Sequence, residues 1–369
     1  MKHLSLIVQM DFHLWMISNE RGISELCRVQ SLYVLELWTA LSLEGEISVL
    51  QINSRLPLLL SGVVALLVVG LPVNAQMILT ADAITAGFGL TTFTSGFSTI
   101  ANIGPLGITF DGNRVIVSDY PGNVRVFPTD VDGQLASSVA VAQNYGVGNA
   151  VGLAQVGANY YMTQQGVGSV VQINPNGSFK QAIITGLGGA TGIAANPLNG
   201  HLFVSATGRL VDIDPVAQTF SLFKSVSADG VTTDGLTLYA SVNNHIIGYR
   251  ISDGAQVFDT GFISGGSDGT ALGTGSLAGN IFVNTNDGHL LEYNLFGLPV
   301  QTIIGQGGSR GDFVTVDPNG TLLLTQSDRI LRLIAPQGGG FGSVPEPGSL
   351  GLFGGFALSG AFLLRRRRK

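Results

Sequence analysis

The sequence predicts an all-β protein, a six-bladed β-propeller over residues 76–335, and three observations lead there. The first is composition. The chain has 369 residues with 52 Gly, and only 11% are charged. Between Gln76 and Ser343 nine Lys or Arg stand against seventeen acidic residues, sixteen of them Asp, with Glu292 the one Glu. Asp and Gly suit turns, whereas Glu and Lys suit helix surfaces. The second observation is a repeat anchored on Gly107, Gly152, Gly192, Gly230, Gly269 and Gly311, with spacings of 45, 40, 38, 39 and 42. A period near forty with several short strands per unit is the pattern of propeller blades. The third is that every unit parses into the same hairpins.

In each unit a first strand such as Ile108–Phe110 meets a turn: "DGN", "GAN", "NPLNG", "DG", "AGN" or "DPNG". Gly supplies positive φ there, and Asn and Asp bond to their own backbone. Second strands follow as "RVIVS", "NYYMT", "HLFVS", "LTLYA", "NIFVN" and "TLLLT". Third strands are "VRVF", "VVQI", "LVDI", "IIGY", "LLEY" and "ILRL", and a weaker fourth follows in five units. Unit six ends after its third strand at Ile334, while an unmatched segment, "FGLTTFTSGF", precedes unit one. A ring must hide its strand edges, so this segment is expected to complete the last blade. The competing architecture is an open β-solenoid or sandwich, which the four strands per unit disfavour.

The domain is bracketed by two apolar segments. "SRLPLLLSGVVALLVVGLPVNAQ" has Arg55 before an apolar run of sixteen residues, Leu56–Leu71, and small residues at Val73 and Ala75. This reads as a signal peptide over 55–75, cleaved between Ala75 and Gln76, with an uncleaved anchor as the alternative. Residues 1–54 are expected to be an over-extended leader, with translation starting nearer Val49 or Leu50. Residues 336–343 read as a Gly-rich linker. Then Val344-Pro345-Glu346-Pro347 precedes seventeen uncharged residues, Gly348–Leu364, and the basic run Arg365, Arg366, Arg367, Arg368 and Lys369. Basic residues stay cytoplasmic, so the expected membrane helix would leave the domain outside.

This three-part tail, residues 344–369, resembles the PEP-CTERM sorting signal of Gram-negative bacteria. The resemblance implies a substrate of an exosortase-like membrane protease, exported across the inner membrane through an anchored intermediate. Its destination would be the cell surface or extracellular matrix. An ordinary tail anchor is the other reading. Within the repeat, "VSDYPGNVRVF" carries Asp119, Asn123, Arg125 and Phe127 in the order used by NHL repeats. The other units keep the geometry without the Arg, so the resemblance extends to the wider six-bladed group of NHL proteins and SMP-30-like lactonases.

Several function classes are disfavoured. No basic patch exists to neutralise phosphates, so no nucleic-acid partner is expected. The one cysteine, Cys27, lies outside the repeat, which excludes a disulfide framework or a catalytic thiol there. No catalytic residue, metal or cofactor is assigned. The residues closing the second turn of each unit are Asn123, Ser169, Arg209, His245, His289 and Arg329, and they form the candidate ligand-binding ring. Imidazole could ligate a metal there and Arg could hold a carboxylate. Asp130 and Asp132 in "TDVDGQ" are spaced like a fragment of a calcium loop but lack the later ligands, so a solvated turn is expected. The expected function is a binding protein for a glycan or protein ligand. The alternative is an extracytoplasmic metal-dependent lactonase or lyase, which would need carboxylate, Asn or His ligands converging on the axis. Glu292, in a third strand, departs from that pattern.

Overall fold

The computed structural model describes residues 76–342. The expected leader, signal segment, cleavage position at Ala75, sorting tail and membrane helix lie wholly or partly outside these residues. Among the described residues no helix is long and apolar enough to cross a membrane.

Six antiparallel sheets form the blades in chain order. Blade 1 comprises Pro105–Asp111, Arg114–Asp119, Asn123–Phe127 and Val141–Asn144, and blade 2 comprises Leu153–Val156, Asn159–Gln164, Ser169–Ile173 and Phe179–Ile184. Blade 3 is built from Ile193–Ala195, Leu202–Ala206, Arg209–Asp214 and Thr219–Lys224, and blade 4 from Val231–Thr233, Thr237–Val242, His245–Arg250 and Gln256–Asp259. Blade 5 uses Ser267–Gly275, Asn280–Thr285, Leu290–Asn294 and Gln301–Gln306. Blade 6 uses Val314–Val316, Leu322–Gln326 and Arg329–Ile334, and takes its fourth strand, Gly89–Ser95, from before blade 1. The first strands of successive blades touch in a closed circuit, with blade 6 returning to blade 1.

Alternation along the strands explains the packing, because each blade buries both faces against its neighbours. In the second strand of blade 1, Ile116 packs into the seam with blade 2, while Val115 and Val117 pack into the seam with blade 6. Each of the six seams holds its own apolar cluster. Where first strands meet, side chains would collide. A Cβ on Gly192 would lie 2.3 Å from the Asp229 carbonyl oxygen, and one on Gly269 would lie 2.4 Å from that of Asp312. This close approach is why the repeat is legible as spaced glycines. In blade 6 the matching residue is Phe313, whose carbonyl accepts from Thr325 as Gly152 accepts from Thr163. The anchor expected at Gly311 is therefore displaced by two residues.

Hydroxyls staple the seams. Ser205 Oγ accepts from Gly192 N and donates to the Asp229 carbonyl of the next blade, at 2.7 and 2.6 Å. Ser118 and Thr163 make the equivalent pairs of bonds.

Both termini of the described chain reinforce the ring. Ile78–Leu79 extends the outer edge of blade 5, and a short helix, Ala81–Ala86, then leads into Gly89–Ser95. Gln134–Leu135, from the crossing between the third and fourth strands of blade 1, pairs in parallel with Gly89–Ser95. The expected linker is structured in part, because Gly339–Gly342 pairs with the end of the first strand of blade 5, on its axial edge. A Cβ on Gly342 would fall 2.2 Å from Thr274 Cγ2, so a larger residue would have to displace that side chain.

Candidate functional site

A cavity of about 800 Å³ follows the first strands. It runs from Gly107, Gly152 and Gly269 to the turns at Asn196–Gly200 and Asp317–Pro318, with Gly342 beside it. The turn between the first and second strands is therefore its mouth. Ile108, Phe110, Leu153, Ile193, Val231 and Val314 supply apolar walls, and Thr109, Thr232, Thr233, Thr270 and Thr315 add hydroxyls. Asp317 is the one charged residue among those lining it, and its carboxylate is bonded to Arg332.

The six ring residues occupy matching places at the opposite end of the blades, each at or just before the start of a third strand. None of them lines the cavity. Each is bonded locally. Asp119 accepts from the backbone N and Nδ2 of Asn123, and also from Arg125 Nη1 at 2.6 Å. Phe127 is fully buried, and the guanidinium of Arg125 lies over the ring of Phe97, 5.8 Å from its centroid. Ser169 Oγ donates to Gln164, and Arg209 donates to the carbonyls of Gly186 and Leu187. His245 Nδ1 pairs with Asp259 at 2.8 Å, and His289 Nδ1 with Asp287 at 2.9 Å. Arg329 makes a two-pronged contact with Asp328. No hydrogen bond joins two members of the ring. His201 pairs with Asp212 toward the other end of its blade.

The residue before each anchoring glycine was missed in the sequence. These positions are Leu106, Val151 and Thr191 in blades 1–3, but Asp229, Asp268 and Asp312 in blades 4–6. None of the three acids lines the channel. Burial pushes the Asp268 carboxyl well above the usual carboxylate range, and the charges of Asp229 and Asp312 push it further. Burial also raises Asp229, helped by Asp312, and raises Asp312 against the pull of Arg310. Arg310 bonds Asp312 at 2.9 Å. The signal was present as Asp-Gly at two anchors, but the shifted anchor in unit six hid the third.

A second set of three acids surrounds one arginine. Arg332 Nε bonds Asp132 at 2.8 Å, while Nη2 bonds Asp130 and Nη1 bonds Asp317. The turn "TDVDGQ" is mostly exposed, as expected, but from it Asp130 and Asp132 reach across to Arg332 of blade 6. Glu292 accepts from Asn280 away from the channel. Among the described residues no three His, Cys, Asp or Glu are arranged to hold a metal ion.

No family model matches the chain, and no curated protein matches it. Many solved structures do. A luciferin-regenerating enzyme is 12% identical, covering 70% of this chain and 99% of that one, with a TM-score of 0.53. A putative oxidoreductase (glucose dehydrogenase) from Thermus thermophilus is 18% identical, covering 67% of this chain and 100% of that one, with a TM-score of 0.51. A protein of unknown function from Bacteroides thetaiotaomicron is 12% identical, covering 67% and 76%, with a TM-score of 0.53. Sequence identity this low carries the architecture alone: the chain folds as a six-bladed β-propeller.

Proposed function

We propose that this chain is an exported propeller, displayed at the cell surface or in the extracellular matrix, that binds a small ligand in its axial channel. The observation that carries the binding reading is the channel itself. Its volume suits a small-molecule site, and its walls combine apolar side chains with hydroxyls and the amides of Gln155, Asn196 and Asn199. Export and sorting rest on the sequence: Arg55 and the apolar run before Ala75 and Gln76, then Val344, Pro345, Glu346 and Pro347 ahead of Arg365–Arg368. An exosortase-like membrane protease would be the processing partner, with the inner membrane a transient one.

The metal-dependent lactonase or lyase alternative does not fit this channel. Apart from Gln155, Asn196, Asn199 and the Arg332-bonded Asp317, its lining residues carry only apolar side chains or hydroxyls, with no imidazole and one carboxylate among them. Of Asp229, Asp268 and Asp312 none lines the channel, and Asp312 is bonded to Arg310. No reaction step is derived through a metal.

Thermal shift of the full chain against apolar probes, oligosaccharides and divalent cations tests the binding reading. A ligand that binds only the folded state raises the apparent Tm. Thr232, half-buried on the channel wall, gives the control. Thr232→Trp should abolish the shift, and a shift that survives it would move the site elsewhere. For sorting, replacing Pro345, Glu346 and Pro347 by Ala should leave the protein in the membrane fraction. Release at the unaltered rate would refute exosortase processing.

A further inference from the structure

The last described strand aims the chain into the channel. Gly339–Gly342 runs antiparallel to the first strand of blade 5, with Gly339 opposite Gly275 and Gly342 opposite Leu272. Its heading is therefore away from the mouth and toward Gly269, and Gly342 already lines the channel. Two contacts fix that heading. The Phe341 ring packs edge-on against Phe282, with centroids 4.9 Å apart, and Phe341 N donates to the Gly320 carbonyl at 3.0 Å.

Ahead of Gly342 the axial edge of blade 5 is open. Thr270 and Ala271 line the channel, and among the described residues their strand partners, Val283 and Phe282, lie on the other edge. An unpaired strand edge is a template for another strand. Carried onward, the register sets Ser343 opposite Ala271, Val344 opposite Thr270 and Pro345 opposite Gly269. The residue types agree with those places. Val344 precedes a proline, which biases it to extended backbone. Pro345 has no N–H to offer, and Gly269 spends its own on the Asp312 carbonyl, at 2.6 Å. The ladder thus gains two rungs and then stops. No Lys, Arg or His lines the channel to pair with Glu346, so the chain has to turn back to water there. Pro345, Pro347 and Gly348 suit such a turn.

We propose that Ser343 and Val344 occupy the channel as the continuation of this strand, and that a channel ligand binds by displacing them. The sorting tail then starts from inside the binding site, and drawing the tail out opens the channel. The displacement rests on the channel-binding reading above; the occupancy does not.

Cross-linking in the full chain tests the occupancy. Cys27→Ser removes the one native thiol. In that background Thr270→Cys with Val344→Cys should close a disulfide within one chain on mild oxidation, read by non-reducing peptide mapping. Ala271→Cys with Ser343→Cys is the second pair and should do the same. Facing residues of an antiparallel ladder have Cα atoms about 4.5–5.5 Å apart, within disulfide reach. Thr109→Cys with Val344→Cys, which puts the first thiol in blade 1, should stay reduced. If neither facing pair closes in protein that keeps its Tm, or the blade 1 pair closes as readily, the proposal falls. A disulfide joining two chains would give the edge to a second copy and overturn it too.

Val344→Asp, whose charge finds no partner in the channel, tests the displacement. The uncharged fluorophore N-phenyl-1-naphthylamine should bind this variant about three- to tenfold tighter than the unaltered chain, because more of the channel population is open. Unchanged affinity would overturn the competition and leave the channel reading intact. Dye binding that survives Thr232→Trp, or no binding at all, would refute the channel reading, while the cross-link would still establish the occupancy.

Discussion

Two clusters in this propeller have the same ingredients, three aspartates and one arginine, and opposite electrostatics. Around Arg332 the guanidinium sits in the middle, 8% exposed, and its fork reaches Asp130, Asp132 and Asp317 separately. Around Asp268 the arginine sits at the rim. Arg310 is 36% exposed and bonds only Asp312, so Asp268 is held toward its neutral form by burial and by its neighbours. The lesson is that placement outweighs charge count. A central fork divides its donors among the acids and clasps two blades together, whereas a peripheral one leaves the innermost acid to a proton.

The largest effect should come from breaking the clasp. Arg332→Met strands three carboxylates and should cost about 3–5 kcal/mol in chemical denaturation; a loss below about 1 kcal/mol would show that the blades do not depend on it. Arg310→Met should cost less, roughly 1–2 kcal/mol at neutral pH, because its side chain is more than a third open to solvent. That cost should shrink on acidification as the acids take up protons. If it grew instead, the raised carboxylates would be misassigned.

Asp268→Asn sharpens the contrast with the opposite sign. A carboxyl raised in the folded state contributes most stability below its ordinary value near 3.8, and the contribution is lost as pH climbs through the folded value. The amide should therefore stabilise at pH 7, with a gain that fades toward pH 4, read from Tm across that range. A pH-independent change would remove the titration argument. The smallest effect belongs to an exposed pair. His289→Ala removes the partner of Asp287 and should cost about 1 kcal/mol or less. Asp287 is partly buried, which would raise it, but hydrogen bonds from Thr285 and His289 hold it below the usual range. That small contribution should be present above the ordinary carboxylate value and vanish as pH falls through the folded one.

Much of the architecture was legible because its constraints are local. Tight turns demand Gly, Asn and Asp, and close contacts between first strands demand Gly192, Gly230 and Gly269, so the period shows. Closure by Gly89–Ser95 followed from a deficit of one strand in unit six. The strand Gly339–Gly342 was illegible, since its residues read as a linker and the reason for them, the nearness of Thr274, is tertiary. The polar ring was placed by position, but its partners Asp259 and Leu187 come from strands and loops that no period specifies.

The borrowed fourth strand of blade 6 also sets an order of events. Arg332 and Asp130 are 202 residues apart in sequence, and the pairing of Gly89–Ser95 with Arg329–Ile334 spans further still. Bringing such distant segments together carries a loop-closure entropy that no single blade can offset early. Ring closure should thus be the late, slow phase of folding, with blades 1–5 waiting on the last strand to be synthesised. A circular permutant that opens the chain at an exposed turn within a blade and joins the present termini would convert this distant seam into a local one, and should fold faster at similar final stability.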